Sequence, residues 1–273
     1  MRLQCSDSLE LNNLVMTNSV FSKFSLTCVL LLGLSSSALA EFEYRFHWGR
    51  MPVAEFSLTL PTTESRKIRV EGQTVGLVGK LFKYDGALEA DYSDMSRVLF
   101  RVSGEDNGFS EYRTIQFSPD GPAEILEFLD DEIEEPPSEV VDSMGITVDP
   151  FRVVLVLLES SSDAGSNNKF CEGEYSVFDG KRHYELALNV GESADIEADR
   201  SWTYSGKALR CDMSVSYLES AGGEEQNPWY EEDAEVRTMW LAEIEELLVP
   251  VRITMPGPIG KITGRLRLAQ DPL

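Results

Sequence analysis

Apolar and polar residues alternate with a period of two along much of the chain. Glu41 to Phe46 places three aromatic side chains on one face, and similar alternation returns at Val53 to Leu60, Val98 to Val102 and Ile262 to Leu268. This period is typical of antiparallel strands with one buried face. The pattern therefore predicts an all-β fold, either an antiparallel barrel or a strongly curved open sheet.

Glycine-containing turn signals punctuate these runs. The sharpest is Asp179-Gly180, which separates the strand-like residues 174–178 from residues 183–188. An Asp-Gly pair between two such runs predicts a β-hairpin. Other pairs offer the same hairpin chemistry, namely Asp85-Gly86, Ser103-Gly104, Asn107-Gly108 and Asp120-Gly121.

Two stretches depart from the alternation. Asp149-Pro150 precedes the apolar run Val153 to Leu158, and Asp at a cap with Pro at the first helical position predicts one short helix. The valines of this run leave a strand as the alternative. Glu124 to Asp142 carries nine carboxylates and Pro136-Pro137, which disfavour sheet pairing, so an acidic loop is predicted there.

Residues 1–40 have the features of a cleavable export signal. Lys23 precedes the apolar run Phe24 to Leu34, and Ala38-Leu39-Ala40 supplies the small residues that a signal peptidase requires, with cleavage after Ala40. The run is too short to span a bilayer, which takes about 20 residues. We therefore expect a periplasmic protein in which residues 41–273 form a single β-rich domain.

The net charge of −23 narrows the range of partners. Nucleic acids and anionic membrane surfaces attract positively charged proteins, so the charge argues against both. A solvated acidic surface is its simplest explanation. We expect no nucleic-acid partner and no stable membrane insertion.

Two cysteines remain after removal of residues 1–40, Cys171 and Cys211. An even number of cysteines in an oxidising compartment predicts a disulfide. Two thiols without neighbouring histidines make a poor zinc site, so no metal is expected there.

Catalytic motifs are absent from the sequence. It has neither a Gly-x-Ser-x-Gly elbow nor a His-Glu-x-x-His helix, and its two histidines, His47 and His183, lie far apart. We expect no catalytic residues and no cofactor. Several aromatic residues could instead line an apolar pocket inside a curved sheet, with core filling as the alternative. They are Trp48, Phe82, Tyr84, Phe151, Trp202 and Trp240.

The order of short motifs in the second half of the chain resembles a bacterial exported family known as domain of unknown function 3108. The resemblance extends over most of residues 41–268. The motifs that carry it are Asp149-Pro150, Cys171, Val177-Phe178-Asp179-Gly180-Lys181-Arg182, Leu209-Arg210-Cys211, Tyr217, Ala221-Gly222, Met239-Trp240-Leu241, Pro250-Val251-Arg252-Ile253 and Gly260. The family implies a secreted or periplasmic β-rich domain and no established activity.

These features favour a non-catalytic periplasmic module that binds a lipid or another hydrophobic ligand, or an envelope accessory protein with an envelope protein partner. The alternative is a structural module that meets a protein partner through an exposed sheet edge or the acidic loop. A hydrolase that uses His47 and His183 is the third hypothesis.

Overall fold

A computed structural model describes most of the chain after residue 40. The predicted export signal, Trp229 and most of the predicted acidic loop lie outside the described residues. Those described are 41–62, 65–131, 136, 145–161, 171–220, 237–244, 247–257 and 260–268.

In this part of the chain thirteen strands and two helices form. The helices are α1 (Val78–Leu81) and α2 (Arg152–Ser161). The strands are β1 (Glu41–Trp48), β2 (Met51–Thr59), β3 (Lys67–Thr74), β4 (Tyr84–Asp91), β5 (Val98–Asp106), β6 (Phe109–Phe117), β7 (Glu124–Asp130), β8 (Gly173–Phe178), β9 (Arg182–Ile196), β10 (Gly206–Ser220), β11 (Arg237–Ile244), β12 (Leu247–Gly257) and β13 (Gly260–Leu266).

All thirteen strands belong to one antiparallel sheet, in the order β7-β6-β5-β4-β3-β2-β1-β13-β12-β11-β10-β9-β8. Two meanders, β1 to β7 and β8 to β13, are joined by the pairing of β1 with β13. The sheet does not close, because β7 and β8 are its two ends and do not pair with each other. The predicted all-β class is confirmed, in its open-sheet form.

The alternating residues of the sequence define an inner face, which carries the hydrophobic core. Phe42, Tyr44 and Phe46 of β1 are buried on it, while Glu41 and Glu43 are exposed. The same alternation buries Val98, Phe100 and Val102 on β5. The predicted helix is also confirmed: α2 contributes Phe151, just before its start, and Leu155 to this core. The opposite face of the sheet, called the outer face here, is rich in ion pairs.

Two of the predicted hairpin turns are confirmed in detail. Asn107 and Gly108 have φ angles of 51° and 94° and connect β5 to β6, as a two-residue hairpin requires. Asp179-Gly180 connects β8 to β9, with Gly180 at φ 93°. The Asp179 carboxylate accepts hydrogen bonds from the backbone N–H groups of Lys181 and Arg182, at 2.9 and 2.8 Å.

Two other predicted turns are wrong, because their glycines lie inside strands. Gly86 of β4 pairs with Gly72 of β3 and with Gly104 of β5, so three glycines form a row across the sheet. A Cβ atom at Gly72 would lie 2.1 Å from the Phe56 ring, and one at Gly86 would lie 2.6 Å from the Tyr84 hydroxyl. Gly72 and Gly86 are therefore explained by close packing of aromatic rings on the strands, a second common use of glycine, whereas a Cβ atom at Gly104 would lie 3.2 Å from the Asp85 carbonyl oxygen.

The predicted acidic loop is wrong over its first seven residues. Residues 124–130 form β7, which pairs with β6 at the end of the sheet. Dense charge does not prevent pairing here, because Glu124 and Glu127 are exposed and an edge strand tolerates charges that face solvent.

The helices differ from the prediction in number. The sequence indicated one short helix, whereas α1 adds a single turn between β3 and β4. Neither α1 nor α2 has the length and apolarity needed to cross a membrane.

Cys171 and Cys211 form the predicted disulfide. Their Cα atoms are 5.8 Å apart, and both residues are fully buried beside Val153 and Leu157 of α2. The bond joins the residue just before β8 to the middle of β10. It therefore fixes the end of the sheet to the strand two positions away.

Removing this bond should destabilise the domain without changing its strand order. We expect Cys171→Ala/Cys211→Ala to lower the free energy of unfolding by about 4 kcal/mol, because the bond closes a loop of 40 residues in the unfolded chain. Urea denaturation followed by circular dichroism measures the change. Reduced wild-type protein is the control, and equal stability of the oxidised and reduced forms would contradict the expectation.

Candidate functional site

The two ends of the sheet meet through side chains. The turn between β8 and β9 packs against β6, so closely that a Cβ atom at Gly180 would lie 2.8 Å from Ile115 Cδ1 and 3.1 Å from Arg113 Cδ. A side chain at position 180 is also disfavoured by its positive φ angle. At this point side-chain packing, and not backbone hydrogen bonds between strands, holds the two ends of the open sheet together.

Four charged side chains hold this junction. Lys181 of the turn lies 3.2 Å from the Glu111 carboxylate and contacts Asp130. Arg113 lies 3.0 Å from Glu111 and 3.6 Å from Asp130. The side chains of Arg113 and Asp130 are only 7% and 3% exposed, so these ion pairs lie where water screens them little.

A pocket of about 280 Å³ lies at this junction. Its floor is apolar and belongs to β4 and β5, with Leu88, Phe100 and Val102. Its other walls come from β6, from Pro150, two residues before helix α2, and from the β8–β9 hairpin. The remaining lining residues are Tyr84, Glu111, Arg113, Pro150, Asp179, Lys181, Arg182 and Tyr184.

Arg113 is the residue of this pocket that has bonding capacity to spare. It is 6% exposed, and its Nε atom makes no hydrogen bond with any part of the chain that the structure describes. A guanidinium has five N–H donors, and the two ion pairs above use only its Nη1 atom. The contacts to Glu111 and Asp130 therefore leave N–H donors of the guanidinium unused.

Tyr84 can supply a further donor. Burial raises the pKa of its phenol, and the nearby Glu111 carboxylate raises it further. The phenol therefore stays protonated over the whole physiological range. The pocket thus combines an apolar floor with neutral and cationic hydrogen-bond donors on its wall, an arrangement typical of small-molecule sites.

In comparisons with known proteins, no family model, no curated protein and no solved structure matches this chain. The resemblance noted above therefore stays a prediction. The site must be interpreted from its own geometry.

The six aromatic residues predicted to line a pocket do not come together in one. Tyr84 lines the pocket, and Phe151 packs edge-on against Phe100 of its floor, with ring centroids 5.9 Å apart. Trp48 and Trp240 pack against the main core. Trp202 stacks on His47, and Phe82 is 63% exposed at the surface.

Sequence reasoning missed Arg113 and Lys181. A signal for Arg113 exists, because it alternates onto the same face of β6 as Ile115 and Phe117, both of which are buried. A cation on the apolar face of a strand needs a buried partner or a ligand. No such signal marks Lys181, which reaches the pocket only because the sheet curls.

A larger depression of about 640 Å³ lies on the outer face, over the glycine row. Six of its seven charged side chains are paired with each other or with close neighbours: Glu55 with Arg45, Arg69 with Glu71, Glu43 with Arg267, and Glu105 with Lys83. Such mutual pairing is what a solvated sheet face shows, so the inner pocket is the better candidate.

The two histidines lie on β1 and β9, with four strands between them in the sheet. His47 is 3% exposed, and burial together with the charges of Arg200 and Arg265 holds its pKa below the usual value. His183 Nε2 lies 2.8 Å from Ser176 Oγ, which ties β8 to β9. Within the described residues, no three His, Cys, Asp or Glu side chains are grouped to hold a metal ion.

Replacing Lys181 tests the importance of the junction. We expect Lys181→Met to lower the free energy of unfolding by about 2 kcal/mol, because it leaves the buried Asp130 carboxylate with one cation fewer. Lys67→Met is the matched control, since Lys67 pairs with Glu89 at the surface with its side chain 43% exposed. The control should lose less than about 1 kcal/mol. Equal losses in urea denaturation would contradict the assignment.

His47 should make the domain less stable in mild acid. Because its folded-state pKa lies below the unfolded value near 6.5, the unfolded chain takes up the proton first. Stability from this group is complete above about pH 6.5 and is lost as the pH falls below it, by at most about 1.4 kcal/mol per pH unit. His47→Phe should flatten the decline between pH 7.5 and 5.5 in urea denaturation. Parallel curves for the variant and the wild type would refute this.

Proposed function

We propose that this protein is a non-catalytic module that binds a compact amphiphile in the pocket between the two ends of its sheet. The apolar part of the ligand lies on Leu88, Phe100 and Val102. Its polar head accepts hydrogen bonds from Arg113. The observation that carries this proposal is the buried Arg113 guanidinium, which lines an apolar-floored pocket and has an uncommitted Nε donor.

The cations of the pocket favour an anionic head. The chain as a whole has a net charge of −23, yet Arg113, Lys181 and Arg182 all line this one pocket. Glu111, Asp179 and the adjoining Asp130 equal them in number. The preference for an anion therefore comes from the Arg113 donors that these carboxylates do not use.

The size of the pocket limits the ligand. Its volume of about 280 Å³ lies just below the lower end of the usual range for ligand pockets, roughly 300 Å³. The pocket therefore suits a small carboxylate or phosphate with a short apolar body, or one segment of a longer lipid.

The proposed place of action is the periplasm. Residues 1–40 have the sequence features of an export signal, and the disulfide between Cys171 and Cys211 fits an oxidising compartment. In this setting a ligand-binding module without catalytic residues fits an accessory role in the cell envelope.

A protein-interaction module is the second candidate function. It is favoured by β7, an end strand of the sheet, on which Leu126 and Leu129 are 41% and 55% exposed. End strands with exposed apolar side chains are ready sites for pairing with a partner strand. Loss of a partner after Leu126→Ser/Leu129→Ser, with ligand binding intact, would favour this candidate.

Ligand binding can be tested with matched small molecules. The fluorescent probe 8-anilinonaphthalene-1-sulfonate has a compact apolar body and one sulfonate, and it should bind the folded mature chain. Octanoate should displace it at least about ten-fold better than 1-octanol, because a hydrogen bond to a charged head contributes about 1.5–3 kcal/mol. Fluorescence titration measures both affinities.

Three variants make this test specific. Arg113→Met should abolish the preference for octanoate, and Leu88→Trp, which fills the floor without touching a charge, should abolish binding of both molecules. Arg101→Met is the control, because Arg101 lies on the outer face beside Glu89. Near-ultraviolet circular dichroism checks that each variant is folded. Equal binding of octanoate and octanol by the wild type would exclude the proposed head-group site.

A further inference from the structure

The connection between β9 and β10 reaches across the sheet to β13, and we call residues 197–205 the strap. Two strands, β11 and β12, separate β10 from β13 in the sheet. The Leu268 backbone N–H nevertheless donates to the Trp202 carbonyl at 3.0 Å, and Thr203 forms an isolated bridge with Arg267. The strap is therefore fastened at a distance from the two strands that it joins.

Side-chain contacts hold the strap on the outer face of the sheet. The Asp199 carboxylate accepts hydrogen bonds from Arg265 Nε at 2.7 and 3.0 Å, and Arg252 Nη2 donates to the Glu197 carbonyl at 3.0 Å. Arg252 and Arg265 lie directly opposite each other on β12 and β13. Both point to the outer face, because Leu266, next to Arg265, is buried in the core.

His47 is buried beneath this strap. Alternation along β1 places His47 on the outer face, since Phe46 and Trp48 on either side of it pack against the core. A polar side chain on that face is ordinarily exposed, yet His47 is 3% exposed. Trp202 of the strap stacks on the imidazole, with ring centroids 6.0 Å apart, and so covers it. His47 Nδ1 makes no hydrogen bond with the residues that the structure describes.

Cations face the imidazole from three elements. Arg45 comes from β1, Arg265 from β13 and Arg200 from the strap itself, and each of these charges lowers the pKa of His47. The guanidinium of Arg200 also lies over the Trp202 ring, 5.8 Å from its centroid. The side chain that covers His47 is thus itself held beside a cation.

The carboxylates of this cluster are already paired. From β2, Glu55 contacts Arg45, and from the strap Asp199 contacts Arg265. A proton on His47 would add a fourth cation to a cluster with two paired carboxylates. Such a charge is costly where water is excluded, and the cost falls when water reaches the imidazole.

We propose that the strap is released by acid: when His47 takes up a proton, residues 197–205 leave the outer face while the sheet stays folded. The strap belongs to none of the thirteen strands, so its release leaves their ladders intact. Local opening of this kind is common in segments with few backbone bonds to the rest of a domain. The proposal goes beyond the ligand pocket and does not depend on it.

The direction follows from proton uptake. With the strap in place, burial and then the charges of Arg200 and Arg265 hold the pKa of His47 below its usual value near 6.5. Once the strap is released, water restores the pKa to about 6.5. Acid therefore favours release as the pH falls below about 6.5, by up to about ten-fold at pH 5.5 relative to pH 7.5.

Trypsin cleavage after Arg200, within the strap, measures this release, because proteolysis tracks the population of an open form. Mass spectrometry follows the folded protein at pH 7.5 and 5.5, and each rate is divided by that of an unstructured peptide at the same pH. The normalised rate at Arg200 should rise about ten-fold at pH 5.5. His47→Phe should abolish the rise. His183→Asn is the matched control, since it removes the other histidine of the chain, and it should keep the rise.

Two further measurements separate local release from other events. Cleavage after Arg113, which is buried in β6, should stay slow at both pH values. Proton NMR should show the His47 imidazole of the wild type titrating below pH 6.5, a result that does not require His47→Phe to fold. No rise at Arg200, an equal rise at Arg113, a rise that persists in His47→Phe, or a titration at or above pH 6.5 would each overturn the proposal. Octanoate binding at pH 7.5 should be the same in His47→Phe and the wild type, so these results leave the proposed function untouched.

Discussion

The fold depends on a contact between the two ends of one open sheet. Gly180 in the β8–β9 turn allows the backbone to approach Ile115 of β6, and Lys181 then reaches the buried carboxylate of Asp130. In a closed barrel, the backbone groups of the first and last strands are hydrogen-bonded to each other, and side chains fill the interior. Here the closure is made by side chains, so a gap with charged walls remains at the junction, and this gap is the candidate site.

The charge distribution follows from the same constraint. An acidic chain can spread carboxylates over its outer face, where solvent and neighbouring cations screen them. Arg113 instead points to the inner face, and it is held there by Glu111 and Asp130. Removing a charge from water costs free energy unless the charge is paired. The fold is therefore stable only if the charges of this cluster remain paired. The cluster leaves the Nε donor of Arg113 in the interior without a hydrogen-bond partner among the described residues.

Much of the architecture could be predicted from the sequence. Alternation in β1 and β5 indicates which side chains are buried, and the even number of cysteines after residue 40 indicates the disulfide. The turn signals at Gly86 and Gly104 were misassigned because glycine serves tight turns and close packing inside strands equally well. A Cβ atom would meet the Tyr84 ring at Gly86 and the Asp85 backbone carbonyl at Gly104. The aromatic pocket failed for another reason: composition does not show which strands the curling of a sheet brings together. Lys181 comes to lie beside Asp130 only in the folded sheet.

The order of the strands has a consequence for how the domain is assembled. Each meander pairs neighbours in sequence, and between the two meanders the described strands share one backbone ladder, that of β1 with β13. In sequence, the connection between the two meanders lies between Asp130, the last residue of β7, and Arg152, the first residue of α2. If the polypeptide is cut in this connection, each pair of hydrogen-bonded strands stays within one fragment. The exception is the pair of β1 and β13, which joins the two fragments. The fold is thus suited to fragment complementation and to circular permutation at that connection.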